Sequence, residues 1–313
     1  MRRIKWQYLA GFLGGFSLSG LLAAPAPAVP QQLAASPPRL AQSYTATITN
    51  TLYRHYTLKY PAPVLTSGIS FPQAGRMQAE FIGRLRAELG PIVGFKAALT
   101  SSAVQERFGV NHPLYGFLLE SMLLESGDSL PLRFGARPMA EGDLMVRVGS
   151  GAINTATSDQ ELLASLDALI PFLELPDLMY EADATVDATA LVAINVGARY
   201  GVMGEPIPLT ADEDWITRLG NIRVQLSNDT GRTVASGDAS ALLGHPIQAL
   251  RWLRDTLIAQ GIELRPGDVL SLGSMTPLVP VEPGQMRLRY FGLDPNQRPG
   301  NSVDVWVRFH GDN

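Results

Sequence analysis

Residues 243–281 read LGHPIQALRWLRDTLIAQGIELRPGDVLSLGSMTPLVPV, and the hydrophobic period changes once along them. In the first half Ile247, Leu250, Leu253 and Leu257 recur at three- and four-residue spacing, which lines one face of a helix. His245 and Pro246 stand where that helix opens, since proline's fixed φ and missing N–H suit a first turn. The pattern predicts helix through Ala259, with His245 in a structural, capping role. Gly261 and Pro266-Gly267 then break it, and the apolar run 268–272 is short enough for a strand. An amphipathic helix turning into a buried strand marks a chain that mixes both elements.

Working outward, the same reasoning places the other elements. Met77, Phe81, Ile82, Leu85 and Leu89 predict a helix over 75–89, stopped by Gly90-Pro91. Residues 92–99 read as an apolar strand, and 101–108 as a short helix capped by Ser101 or Ser102. Between 114 and 148 short apolar runs alternate with Gly and Pro breaks, a pattern of short strands ending in one over 139–148. Ser158 and Glu161 form a capping box for a helix predicted over 159–169, which leads into a strand over 171–178. Strands flank the turn at 228–231, and two more follow over 286–291 and 302–309. Helices come early and strands late, so the expected class is α+β with a mixed β core.

Composition narrows the function. The chain has 313 residues, 46% hydrophobic and 17% charged, which excludes disordered and fibrous classes. A net charge of -4 without a long basic run argues against a nucleic-acid partner. With no cysteine, disulfides and thiolate metal sites are excluded, and any metal must take oxygen or imidazole ligands. Arg2, Arg3 and Lys5 precede an apolar stretch over 9–24, followed by Ala26 and Ala28 in an A-x-A arrangement. This reads as a signal peptide over 1–28, with export to a periplasm or equivalent lumen expected. Membrane attachment is expected only if the leader stays uncleaved. Residues 29–42 read as a Pro- and Ala-rich linker, and 43–313 as the functional domain, its first part (about 43–90) rich in helix.

Glu141 and Asp143 fall at i and i+2 of the predicted strand 139–148, so their side chains share one face. Neighbouring carboxylates repel, and a hard divalent cation between them relieves the repulsion. Taken alone the pair fits a solvated strand face better than a metal site. Glu174 lies in PFLELP (171–176), where an acidic side chain needs a metal or a basic partner to be buried. Lys96, in GFKAALT (94–100), is also lodged in an apolar strand. It could be an acid/base with a lowered pKa, a binder of a substrate carboxylate, or one half of a structural ion pair. His112 and His245 each precede proline.

Four segments together resemble one family: GFKAALT (94–100) followed by GVNHPLYG (109–116), PMAEGDLMVRV (138–148), PFLELPD (171–177), and LGHPIQALRWLRDTL (243–257) running into PGDVLSLGSMTPLVPV (266–281). In this order they are similar to the 2-keto-4-pentenoate hydratase and oxalocrotonate decarboxylase branch of the fumarylacetoacetase superfamily, over about residues 90–285. The resemblance implies a mixed β-roll core with flanking helices and a small N-terminal α-rich part. It implies Mg²⁺ or Mn²⁺ held by Glu141, Asp143 and Glu174, with Lys96 catalytic and Lys96, Asn195 and Ser274 binding substrate. A small 2-oxo or 2-hydroxydienoic acid such as 2-hydroxypenta-2,4-dienoate is the implied substrate, hydration the implied reaction, and a homo-oligomer the implied assembly.

The chain departs from that pattern in four places. Asp143 is one methylene shorter than the expected glutamate. Leu114 and Ile194 replace acidic residues, and Gly197 replaces a serine. Decarboxylation on the same fold, and an exported relative that binds a keto acid or metal without turnover, stay open at this point.

Overall fold

The structure is a computed structural model that describes residues 39–209, 213–293 and 301–311. The expected leader and the linker up to residue 38 lie outside the described residues. Helix α1 (Arg39–Leu58) begins inside the stretch read as linker. With α2 (Phe71–Leu89) it forms an N-terminal helical layer, burying Ile48, Leu52 and Tyr56 against Met77, Phe81 and Leu85. Gln73 accepts the Ser70 backbone N–H at 2.9 Å and so closes the start of α2. Gly90, at φ 85, takes the left-handed turn into the first strand.

The elements that follow are β1 (Ile92–Ala98), α3 (Ser102–Arg107), β2 (Leu114–Leu119), β3 (Leu123–Glu125), β4 (Ser129–Pro131) and β5 (Met139–Val148). Then come α4 (Asp159–Ala164), β6 (Leu166–Leu175), α5 (Ala188–Ala193), β7 (Tyr200–Met203), β8 (Ile207–Pro208) and α6 (Glu213–Gly220). The last are β9 (Arg223–Ser227), β10 (Thr233–Asp238), α7 (Pro246–Ala259), β11 (Val269–Ser274), β12 (Val279–Pro280), β13 (Gly284–Phe291) and β14 (Ser302–His310). At α7, His245 Nδ1 accepts the Ile247 N–H at 3.1 Å, the capping role expected of it.

Among the described residues, nine strands build a mixed sheet in the order β2-β1-β11-β5-β6-β7-β3, with β12 on β5 and β8 on β6. It curls into a half-barrel, in keeping with the expected α+β class. A second sheet runs β10-β9-β13-β14-β4. Strand alternation sorts the large sheet's side chains. Phe95, Leu144, Val146, Leu173 and Leu270 face the main core, shared with α7 and the second sheet. The opposite face carries Leu118, Met145, Ile170, Phe172 and Val269 as a smaller apolar cluster. Each such side chain contributes roughly 1.5–3 kcal/mol when buried, so a charge on this sheet needs compensation. Among the described residues, no helix is long and apolar enough to cross a membrane.

Helix α2 begins at Phe71, ahead of the expected 75, and two further elements differ from the sequence reading. The helix expected over 159–169 stops at Ala164, and the strand expected over 171–178 runs from Leu166 to Leu175. The capping box is as expected, with Ser158 Oγ accepting the Glu161 N–H at 3.1 Å. Past Ser165, however, the run LDALIPFLEL is buried at every position but Asp167, and the ladder to β5 supplies its backbone partners from Val148 onward. An apolar run buried on both sides carries no period to tell helix from strand. At the far end Asp177 leaves the strand to accept the Ala136 and Arg137 N–H groups at 3.0 and 2.8 Å.

Candidate active site

Strands β5 and β6 pair antiparallel with Glu141 opposite Glu174 and Asp143 opposite Phe172. Residues opposite one another share a face, so Glu141, Asp143 and Glu174 all lie on the face away from the main core. On the other side of β5, β11 follows with Ser271 opposite Met145, and β1 sets Lys96 opposite Ser271. Four strands thus bring one lysine and three carboxylates to one patch. All four are buried, Glu141 being the most exposed at 8%.

Each charge has identifiable neighbours. The Lys96 ammonium donates to Glu174 Oε1, so Glu174 has both a basic partner and acidic neighbours. Burial pulls the lysine's pKa down, but Glu174, Glu141 and Asp143 outweigh it and hold the ammonium above its ordinary value. The lowered pKa that the sequence left open for Lys96 is therefore not found. For Glu141, burial and then Glu174 push the pKa up to about 8 against the opposing pull of Lys96. Burial, Glu174 and Glu141 likewise raise Asp143 well above the usual carboxylate range.

The second shell of partners was not legible in the sequence. Ser271 donates to Asp143 Oδ2 at 2.5 Å, and the Ser274 hydroxyl, opposite Asp143 in the ladder, donates to the Thr276 carbonyl at 2.7 Å. Thr276 Oγ1 accepts the Gly142 N–H at 2.8 Å. From the second sheet, the Tyr290 hydroxyl accepts the Phe172 N–H at 2.7 Å and contacts the Asp143 carbonyl, fixing both strands where the acids sit. Ser271 stands out of phase with Leu270 and Leu272, an alternation that could have signalled it. Tyr290 carries no comparable signal.

Asn195 is fully buried and spends its side chain on β2. It accepts the Phe117 N–H at 2.8 Å and returns a bond to the Phe117 carbonyl at 2.8 Å, while Gln78 approaches its oxygen at 3.3 Å. Both Asn195 and Val196 have positive φ, 56° and 47°, so this turn is held against its backbone preference. Leu114 and Ile194 are buried in the apolar cluster beneath the N-terminal helices. Gly197, at φ 74, occupies a conformation in which a serine would be strained.

Whether these residues suit a divalent cation turns on one atom. Asp143 Oδ1 is buried and has no hydrogen-bond partner among the described residues. Three carboxyl groups share one ammonium, Glu141 and Asp143 resist ionising beside Glu174, and a partnerless buried carboxyl oxygen is an unmet demand for a cation. The donor set fits. In the arrangement described, one Glu174 oxygen is taken by Lys96, and no three acidic or imidazole side chains already close into a cage among the described residues.

The sequence is 32% identical over 204 residues to a 2-hydroxyhexa-2,4-dienoate hydratase of Comamonas testosteroni, covering 64% of this chain and 75% of that one. It is 31% identical over 197 residues to a 2-keto-4-pentenoate hydratase of Paraburkholderia xenovorans, covering 62% and 70%. The chain belongs to the 2-keto-4-pentenoate hydratase and 4-oxalocrotonate decarboxylase family. Within that family, the structure of a 4-oxalocrotonate decarboxylase of Pseudomonas putida, complexed with magnesium and adipate, superposes with a TM-score of 0.71 at 25% identity. The superposition covers 87% of this chain and 97% of that one. No protein-family model matches the sequence.

Proposed function

We propose that this protein is a divalent-metal-dependent hydro-lyase that hydrates a small 2-hydroxydienoic acid, such as 2-hydroxypenta-2,4-dienoate. The hydratase relatives support the reaction, and the magnesium-bound decarboxylase neighbour supports the metal. One observation carries the site: Glu141, Asp143 and Glu174 share one buried strand face beside Lys96, with an Asp143 oxygen left over.

Glu141, Asp143 and Glu174 would hold Mg²⁺ or Mn²⁺. When bound, the ion supplies a Lewis acid that stabilises negative charge on the oxygens of a 2-oxo acid. Lys96 keeps its proton at Nζ and offers a fixed cation to an anionic substrate, in surroundings dry enough to strengthen that attraction. Ser271 orients the Asp143 carboxylate, so that donor is set before substrate arrives. Ser274 and Lys96 are the proposed substrate-binding side chains, and Asn195 shapes the wall beside them through Phe117.

The purified chain with Mg²⁺ or Mn²⁺ should consume the ultraviolet absorbance of the dienoate, and Glu141→Ala should stop it. Metal binding without decay would sink the hydratase reading. The basic-then-apolar N-terminus supports export as part of the same proposal, tested by the N-terminal sequence of the mature protein from a periplasmic fraction. A homo-oligomer is proposed with it, tested by light scattering.

A further inference from the structure

We propose that Gln78 is a positioning residue for Lys96, acting across β2 from the N-terminal helical layer. The inference rests on the reading of the site given above, in which Lys96 offers its charge to an anionic substrate. Ala74, Met77, Phe81, Ile82 and Leu85 make the buried face of α2 apolar, and Gln78 is the one polar residue buried among them, at 2% exposure. An amide is costly to strip of water, so its presence on that face calls for partners. Its Nε2 donates to the Tyr115 carbonyl at 2.9 Å and to Asn195 Oδ1 at 3.3 Å. Asn195 in turn exchanges two bonds with the Phe117 backbone, each at 2.8 Å.

Those bonds reach Lys96 through the backbone. Among the described residues β2 is an edge strand, paired with β1 alone. Tyr115 and Phe117 turn polar backbone groups outward, to Gln78 and Asn195. In an antiparallel ladder inward and outward residues alternate, so Gly116 between them bonds inward, and the residue opposite it is Lys96. The two amide side chains therefore hold the free edge of β2 on both sides of the rung that carries Lys96. Gly116 brings a further contact onto this rung, because a Cβ there would lie 2.5 Å from Val196 Cγ2, and the turn after α5 rests on the bare backbone. With its side chain enclosed and its ammonium against Glu174, Lys96 keeps its place only while the rung keeps its own. The three acids stand on β5 and β6, beyond β1 and β11 in the sheet, so a loosened β2 disturbs Lys96 before it disturbs them. The competing reading is that Gln78 only covers an open strand edge, which would otherwise invite pairing with another chain.

The test measures hydration of 2-hydroxypenta-2,4-dienoate and affinity for Mg²⁺ on the full chain and its Gln78→Met variant, which keeps the side chain's length and loses its donors. KM should rise ~10-fold while kcat and the Mg²⁺ Kd stay within ~2-fold of wild type, the pattern of a displaced substrate-binding group with the metal ligands in place. Gln78→Asn, polar but a methylene too short for the same reach, should show the same split, and it decides the matter should Gln78→Met fail to fold. An unchanged KM in a folded variant, or a KM and a Mg²⁺ Kd that rise together, overturns the inference and leaves the site reading intact. Failure of both variants to fold makes Gln78 a structural residue and overturns it as well. An inactive wild-type chain, or an unchanged KM in Lys96→Met, overturns the site reading, and the inference falls with it.

Discussion

Among the described residues, the clusters of buried charge around Asp177 and around Glu174 differ, and only the first is balanced. Asp177 receives two backbone N–H groups and faces the Arg199 guanidinium at 3.9 Å. Arg199 in turn stacks over the Tyr56 ring at 3.8 Å and donates to the Tyr56 carbonyl. One acid meets one base, and both are used to tie helix α1 to the sheet. Around Glu174 three acids meet one base, with an oxygen of Asp143 unpartnered among the described residues. A saturated cluster holds layers together. An unsaturated one stores a demand that a ligand can meet.

The largest expected effect breaks the balanced cluster. Arg199→Met should cost about 3–5 kcal/mol in urea unfolding, as for a buried pair losing one partner, and by the same amount with or without Mg²⁺. A loss rescued by metal would erase the distinction drawn between the clusters. At the acidic cluster, Glu141→Ala should lower the metal-dependent rate by ~10²–10³-fold, about 3–4 kcal/mol of barrier, in a protein that stays folded. Unchanged turnover would remove Glu141 from the site.

Glu174→Gln sharpens the comparison further. It should abolish the metal-dependent rise in stability, worth about 2.7 kcal/mol at a hundredfold excess of metal over Kd, while the metal-free protein stays folded because Lys96 keeps Glu141 and Asp143. A destabilised metal-free protein with an intact metal response would make Glu174 a structural ion-pair residue only. Asp143→Asn should have the smallest and most telling effect. By removing a carboxyl whose ionisation burial, Glu174 and Glu141 oppose, it should raise the stability of the metal-free protein by about 1 kcal/mol. A loss of several kcal/mol, seen in thermal melts with chelator, would contradict the crowding of the three acids.

Much of this was readable residue by residue. The i, i+2 spacing of Glu141 and Asp143 on one strand needs only the two-residue period, and β5 spans the boundaries read for it. Lys96 and Glu174 were conspicuous as charges inside apolar runs, and both are buried. The helix end at Ala164 was not readable, because Leu166, Ala168 and Leu169 fit a helix or a strand equally well. Nor were the roles of Ser271 and Tyr290, which reach Asp143 from 128 and 147 residues away.

By itself, then, the amino-acid order determined the element types wherever a clear hydrophobic period existed, the pair of acids on one face, and which charges had to find buried partners. The cost of burying an unpaired charge is local and can be counted from one strand at a time. Only the tertiary structure decided that the partner of Glu174 is Lys96, that Glu174 lies opposite Glu141, and that Asn195 serves the backbone of Phe117. Those facts depend on strand order and register, which are settled by packing among segments far apart in the chain.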